Sequence, residues 1–231
     1  MIFQQLFDIK SSTYTYIISS GKGREALIID PVIENTDEYI KVLKNLDLKL
    51  VKVIDTHIHA DHISGLNELS KRTKCSKIMG EKSSSEVLDI RVKDNEKIKI
   101  ENIELISMHT PGHTDCSYSF IMDDRVFTGD ALLINGTGRT DFQSGSSYDA
   151  YNSLFNKLLK LPEKTLVYPA HDYTGKKHST IENEKKTNPR LQVGSAEEFA
   201  EMMNNLNLTI PKMINIAVPA NIKGLTLNQL N

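Results

Sequence analysis

The chain has 231 residues, of which 39% are hydrophobic and 25% are charged, a balance that is ordinary for a globular protein with a sizeable core. Its formal net charge of −2 provides no strong positive field, which argues against nucleic acid or an anionic membrane surface as a partner. No apolar run reaches the roughly 18 residues that a membrane-spanning helix needs, so we also expect no membrane insertion.

The first ten residues, MIFQQLFDIK, contain no basic segment followed by an apolar one, so we expect no secretory signal. The two cysteines, Cys75 and Cys116, are too few to define a disulfide scaffold. We therefore expect both to be reduced thiols in a cytoplasmic protein.

The first half of the chain mixes strand and helix patterns. Segments that alternate or are rich in β-branched residues predict strands, and apolar residues at helical spacing predict amphipathic helices. In chain order we predict strands at residues 2–8, 14–19 and 26–30, a helix at 35–47, a strand at 50–55, a helix at 63–72 and a strand at 77–79.

The second half repeats this mixture without a linker, a fixed-period repeat or a domain break, so we predict one domain over residues 1–231. Pro162 ends the first helix of this half, and the tail beyond Pro211 looks irregular. We predict hairpins at residues 97–109 and 118–128, helices at 148–160, 179–186 and 196–205, and a buried strand at 165–169.

Side chains that can bind metals collect at four positions, each directly after a predicted strand. Active sites are commonly assembled on such strand-end loops. They are the HIHADH segment with His57, His59, Asp61 and His62, the histidine of TPGH (His113), the aspartate of FTGD (Asp130) and the histidine of PAHD (His171).

A lone histidine is usually a surface or core residue, but this pattern is different. Three histidines and an acid within six residues would cost stability if they were buried without a partner. Imidazole and carboxylate together suit zinc, iron and manganese. We therefore predict a metal site, and we expect the two remaining histidines, His109 and His178, to be structural.

The order HxHxDH, lone His, GD aspartate and last His resembles the metallo-β-lactamase superfamily, from Thr56 to His171. The resemblance implies an α+β fold, the four-layer αββα sandwich with its metal at one edge of two sheets. Members of the superfamily include thioester hydrolases, lactonases, nucleases and oxygen-reducing enzymes, so this pattern alone does not name the reaction.

Finer motifs are similar to the persulfide dioxygenase family. They are GDALLINGTGRTDFQ at residues 129–143, YPAHDY at 168–173, NPRL at 188–191 and AVPAN at 217–221. This resemblance implies a non-haem Fe(II) dioxygenase that oxidises glutathione persulfide with O2 and water to sulfite and glutathione, a reaction of hydrogen sulfide detoxification. It implies one Fe(2+) per chain, with His57, His113 and Asp130 as ligands and catalytic centre. The other superfamily residues would orient these ligands by hydrogen bonding, namely His59, Asp61, His62 and His171.

Substrate contacts are predicted less directly. Glutathione carries carboxylates, and the planar guanidinium of Arg139 could clamp one of them. The alternative is an ion pair of Arg139 with Asp141 or Asp172 that shapes the loop. Tyr173 either hydrogen-bonds the substrate or packs, and Asn221 is carried over from the family as a residue of the glutathione channel.

Two other functions remain open. A glyoxalase II type enzyme would use the same seven residues to hold two zinc ions and hydrolyse glutathione thioesters. The GRTDFQ and AVPAN segments and the short, irregular tail argue against it. A non-catalytic metal-binding domain would be expected to lack ligands, and none is missing.

The chain has no room for a rhodanese domain, so a sulfurtransferase partner would be a separate protein. A homodimer is one open alternative for the assembly.

Overall fold

A computed structural model describes residues 1–230 of the chain. Within these residues, twelve strands form two six-stranded sheets, and consecutive strands are neighbours throughout each sheet. The first sheet contains β1 (Ile2–Asp8), β2 (Thr13–Ser19), β3 (Glu25–Ile29), β4 (Lys49–Ile54), β5 (Ser76–Gly80) and β6 (Ile90–Val92). The second contains β7 (Lys97–Ile100), β8 (Ile103–His109), β9 (Tyr118–Ile121), β10 (Arg125–Gly129), β11 (Leu166–Pro169) and β12 (Ser179–Thr180).

Helices cover the outer faces of both sheets. None of those in the described residues is long and apolar enough to cross a lipid bilayer. Short 3₁₀ turns lie at Ile33–Asn35, Leu158–Lys160 and Pro189–Leu191. The α-helices are α1 (Thr36–Asn45), α2 (Leu66–Thr73), α3 (Ser147–Asn156), α4 (Ile181–Thr187), α5 (Ala196–Asn204), α6 (Ile214–Lys223) and α7 (Leu227–Leu230).

Three apolar clusters hold the layers together. The central cluster lies between the sheets and includes Tyr16, Phe120 and Phe127, each at most 1% exposed. A second cluster joins α1 and α2 to the first sheet, and a third joins α3, α4 and α5 to the second sheet. This is the α+β, αββα sandwich that the motif resemblance predicts, so the predicted fold class is confirmed.

Parallel pairing places several loops at one edge of the sandwich. β3, β4 and β5 are parallel in the first sheet, and β10 and β11 are parallel in the second. The sheets also meet directly, because the amide of Tyr14 donates to the carbonyl of Ala170 at 2.7 Å. The loops that follow β4, β10 and β11 carry most of the predicted metal-binding residues.

The C-terminal tail differs from the prediction, because residues 214–223 form α6 although Pro219 lies inside it. A proline in a helix interior costs about 3 kcal/mol relative to alanine. Tertiary contacts offset this cost, since Ala217 and Ala220 are buried against Ile33 and Ile63. The predicted irregular tail is therefore wrong, and it no longer argues against a hydrolase.

Smaller differences concern element ends. The predicted helix at 148–160 ends at Asn156 and continues as a 3₁₀ turn, and the predicted helix at 179–186 begins with the two-residue strand β12. The edge strands β6 and β12 have three and two residues, which is too short for alternation to be recognised in sequence.

Candidate metal centre

Three strand ends carry side chains that converge at the edge of the sandwich. His57 follows β4, His113 lies in the loop after β8, and Asp130 follows β10. One ligand atom from each residue lies within 4.8 Å of the other two. Nε2 of His113 is 3.6 Å from Oδ2 of Asp130, and the ring centroids of His57 and His113 are 5.0 Å apart. The structure thus brings together the three residues that the resemblance implies as ligands.

The second nitrogen of each of these histidines is held by a hydrogen bond. Nδ1 of His57 lies 2.9 Å from the hydroxyl of Thr56, and Nδ1 of His113 lies 2.8 Å from the carbonyl oxygen of Arg139. Because a carbonyl oxygen only accepts, His113 donates from Nδ1, and Nε2 is the nitrogen that faces the site. Hydrogen bonds of this kind fix the ring orientation and tautomer of metal-binding histidines.

Asp130 shares a histidine with a second acid. Nδ1 of His171 is 2.6 Å from Oδ1 of Asp130, and Nε2 of His171 is 2.8 Å from Oδ2 of Asp61. Burial opposes the charged imidazole, but the two carboxylates outweigh burial and hold the pKa of His171 well above its usual range. His171 is therefore a cation between two acids, and it engages one oxygen of Asp130 while the other faces His113.

The protonation states of His57 and Asp130 suit metal binding. Burial holds the pKa of His57 well below its usual range, and the nearby His59 and His113 act in the same direction. For Asp130, burial opposes ionisation, but His171 above all, and then His113 and His57, outweigh it and lower the pKa. Neutral imidazole and ionised carboxylate are the forms that bind metals. Two imidazoles and one carboxylate with fixed outer atoms fit a transition-metal ion.

A second group of donors lies beside the first. One ligand atom from each of His59, Asp61 and His62 lies within 4.8 Å of the others. Nδ1 of His62 is 2.9 Å from Oδ2 of Asp61, and Nε2 of His59 is 3.2 Å from Oδ1 of Asp30. In the described residues, Nδ1 of His59 and Nε2 of His62 are buried without a hydrogen-bond partner. Of the four residues predicted to orient the ligands, His171 is the one whose side chain hydrogen-bonds to a candidate ligand side chain.

A cleft of about 780 Å³ opens onto this edge and reaches His113, Asp130 and His171. Arg139 and Tyr173 line it, as two predicted substrate contacts should. The ring of Tyr173 is stacked on that of His171 with centroids 6.3 Å apart, while the residue as a whole is 73% exposed. The cleft therefore connects the candidate metal ligands with solvent.

The side chain of Arg139 is already engaged within the chain. Its Nε and Nη2 donate to the carboxylate of Asp141 at 2.6 and 2.7 Å, and its Nη1 donates to the carbonyl of Thr209 at 2.6 Å. Of the two alternatives that the sequence leaves open, the structure contains the ion pair with Asp141. The hydrogen bond from Arg139 to Thr209 ties the glycine-rich loop to the segment before α6. The carbonyl oxygen of the same residue, Arg139, accepts from His113.

Asn221 does not lie where the family resemblance suggests. It is 8% exposed and is not among the residues that line the cleft. Its amide oxygen accepts from the amide of Ser64, and its nitrogen donates to the carbonyls of His59 and His62. Asn221 therefore supports the HIHADH loop and does not line the cleft as predicted, because all polar atoms of its side chain are hydrogen-bonded inside the protein.

Four residues near the site are not singled out by the sequence patterns. Asp30 and Thr56 lie behind His57, and Lys10 and Lys212 line the cleft. The one available signal is position, since Asp30 directly follows the buried strand β3 and Thr56 directly precedes HIHADH. The two lysines resemble any surface lysine in sequence.

Comparisons of the sequence and of the structure both find similar proteins in the metallo-beta-lactamase superfamily. The model of the metallo-beta-lactamase superfamily matches residues 9–171. Persulfide dioxygenase ETHE1, mitochondrial, of Mus musculus is 42% identical over 226 residues, covering 96% of this chain and 88% of that protein. The crystal structure of ETHE1 from Myxococcus xanthus matches with a TM-score of 0.94 at 46% identity, covering 96% of this chain and 98% of that one. A hydroxyacylglutathione hydrolase of Pelagibacter ubique is less similar, with 32% identity over 94% of this chain and 90% of that protein.

Proposed function

Because the chain belongs to the persulfide dioxygenase family of the metallo-β-lactamase superfamily, we propose that it oxidises glutathione persulfide to sulfite and glutathione. The observation that carries the proposal is the 42% identity to a persulfide dioxygenase over 96% of the chain. The overall reaction is GSSH + O2 + H2O → GSH + H2SO3, in which the outer sulfur is oxidised, O2 is reduced and the S–S bond is broken.

We propose one ferrous ion per chain, held by His57, His113 and Asp130. The convergence of their ligand atoms within 4.8 Å and the hydrogen bonds on their outer atoms support this assignment. A ferrous ion bound on one side by these three groups would supply adjacent open positions for persulfide sulfur and O2, two partners that react slowly in solution.

The protein's own groups prepare this site. The imidazolium of His171 holds Oδ1 of Asp130, so that the carboxylate cannot rotate freely. The carbonyl of Arg139 holds the ring of His113. Such outer hydrogen bonds typically change metal affinity or activity by about 10- to 100-fold.

The cleft suits an anionic tripeptide. Lys10 and Lys212 line it and have no carboxylate partner among the described residues, so they add positive charge beside Arg139. Both carboxylates of glutathione can therefore meet cations within one cavity of about 780 Å³. We propose Arg139 and Tyr173 as further contacts at the cleft wall, the first through its guanidinium face and the second through its hydroxyl.

A hydrolase of glutathione thioesters is the second candidate. The cluster of His59, Asp61 and His62 supports it, because a second ion beside the first would create the two-metal site that such hydrolysis uses. The relative with this activity is 32% identical, against 42% for the persulfide dioxygenase, and the GRTDFQ and AVPAN motifs favour the dioxygenase.

Oxygen consumption separates these functions. Iron-loaded protein should consume one O2 for each glutathione persulfide added and release sulfite and glutathione in equal amounts. His113→Ala should abolish the uptake because a ligand is lost, and His178→Ala should retain it because His178 is exposed and outside the site. Rapid hydrolysis of lactoylglutathione without oxygen uptake would overturn the proposal.

Other properties stay predictions from the sequence. They are location in the cytoplasm, a homodimer as one alternative for assembly, and a separate rhodanese-type sulfurtransferase that would supply or use the persulfide. The relative from Mus musculus is mitochondrial by its name.

A further inference from the structure

We propose that Thr56 is a positioning residue of the metal site, whose hydroxyl connects the carboxylate of Asp30 to the imidazole of His57. All three residues are at most 1% exposed, so water does not substitute for these contacts. The inference concerns the metal site itself and holds for either reaction.

The first link joins Thr56 to Asp30. Oδ1 of Asp30 lies 2.7 Å from the amide nitrogen of Thr56, and Oδ2 lies 3.0 Å from its hydroxyl. The carboxylate of Asp30 thus accepts hydrogen bonds from both the backbone and the side chain of Thr56. Asp30 adopts a left-handed backbone with φ of 49°, directly after β3.

The second link joins Thr56 to His57. A hydroxyl has a single hydrogen, and in Thr56 that hydrogen goes to Asp30, which accepts. Towards Nδ1 of His57, 2.9 Å away, the same oxygen therefore accepts. His57 donates from Nδ1, and the lone pair of the neutral ring is left on Nε2, the atom available for a metal. The hydroxyl thus selects the tautomer, as a carboxylate or carbonyl does for other metal-binding histidines.

A third contact couples Thr56 to the strand end that carries Asp130. Gly129 has φ of +53°, and a Cβ atom at this position would lie 2.7 Å from Oγ1 and 2.9 Å from Cβ of Thr56. Only glycine leaves room for the Thr56 side chain here. Because Thr56 is β-branched, packing fixes its χ1 angle and with it the direction of the hydroxyl. One side chain therefore sets the position of two neighbouring ligand segments.

The affinity of the metal-free protein for zinc tests the hydrogen bonds from Asp30 through Thr56 to His57 without reference to activity. Thr56→Val keeps the shape and removes the hydroxyl, and we expect it to weaken zinc binding by about 10- to 100-fold in competition with a chelator. Thr56→Ser keeps the hydroxyl and should stay within a few-fold of the parent. Thr165→Val is the control for the same substitution at a buried position, at the opposite end of β11 from His171.

The tautomer of His57 gives a second measurement on the unaltered protein. In zinc-loaded protein labelled with ¹⁵N-histidine, NMR should find the proton on Nδ1 of His57 and the metal on Nε2. This measurement decides the proposal even if Thr56→Val does not fold. Zinc affinity of Thr56→Val equal to that of the parent, equal losses for Val and Ser, or a proton on Nε2 of His57 would each overturn it.

Discussion

At the residue scale, His171 differs from the three candidate ligands in how its ring is used. Both of its nitrogens face carboxylates, at 2.6 Å from Asp130 and 2.8 Å from Asp61. His57 and His113 each use one nitrogen in a hydrogen bond to the protein and keep the other for the site. This difference is what we expect if the three candidate ligands hold one metal and His171 supports Asp130 by hydrogen bonding.

Substitutions at His171 and Asp130 should therefore have unequal effects on iron. Asp130→Ala removes a ligand and should leave little iron after gel filtration. His171→Ala removes no proposed ligand, only the hydrogen bonds to Asp130 and Asp61, so we expect affinity to fall by about 10- to 100-fold while most iron stays bound at micromolar protein. The iron-to-protein ratio of the folded fraction measures both, with His178→Ala as the control.

If His171→Ala lost iron as completely as Asp130→Ala, His171 would itself be a ligand and a single-metal triad would be wrong. If both variants kept one iron per chain, Asp130 would have no ligand role.

The sequence motifs predict a metal site and the family resemblance selects three of its residues as ligands, but neither predicts the residues behind them. His57, His113 and Asp130 stand in short motifs at strand ends, where local spacing is informative. Asp30 and Thr56 are 26 residues apart in the chain and meet only because β3 and β4 are adjacent and parallel. Likewise, the guanidinium of Arg139 is held beside Asp141 by a hydrogen bond to the carbonyl of Thr209. Thr209 is distant in the chain, so no local sequence pattern predicts this contact.

At the element scale, α6 acts as a brace for the HIHADH loop. Asn221 joins the helix to the amide of Ser64 and to the carbonyls of His59 and His62. The sequence does not predict this helix, because Pro219 reads locally as a helix breaker and the burial of Ala217 and Ala220 is a tertiary effect. The AVPAN motif is thus explained by packing and loop support.

Asn221→Ala should destabilise the protein and loosen the loop. Three polar groups would lose their partners, and since a buried unsatisfied group costs about 1–3 kcal/mol, we expect a loss of at least about 2 kcal/mol in the free energy of unfolding. Urea denaturation of the metal-free protein measures this loss. Asn215→Ala, at an exposed position of the same helix, is the matched control. Equal stability of the two variants would show that the brace contributes nothing.

At the scale of the whole molecule, the two sheets are held in register by contacts that cross the core near the site. The hydroxyl of Tyr16 in β2 donates to the carbonyl of Pro169 in β11 at 2.5 Å. Burial raises the pKa of Tyr16 well above its usual range, so it stays a neutral donor. The resemblance to the superfamily predicts the αββα layers, but it does not predict such inter-sheet contacts, and alternation in the sequence gives the buried face of a strand and not its partner.

Tyr16→Phe should lower the free energy of unfolding by about 1–3 kcal/mol, because the carbonyl of Pro169 would be left buried without a donor. Thermal and urea unfolding measure the change. Tyr148→Phe provides the control, since Tyr148 is 56% exposed and its hydroxyl makes no hydrogen bond within the described residues. A loss no larger than that of the control would mean that the two sheets do not depend on this contact.

We propose above that one metal ion is bound on one side by His57, His113 and Asp130. Crystals of protein purified without chelator and loaded with iron test it most directly, through anomalous scattering at the iron and zinc absorption edges. We expect a single iron peak within bonding distance of these three residues, with His171 in contact with Asp130 and not with the metal. Two peaks bridged by Asp130, the second held by His59, Asp61, His62 or His171, would contradict the claim and favour hydrolysis.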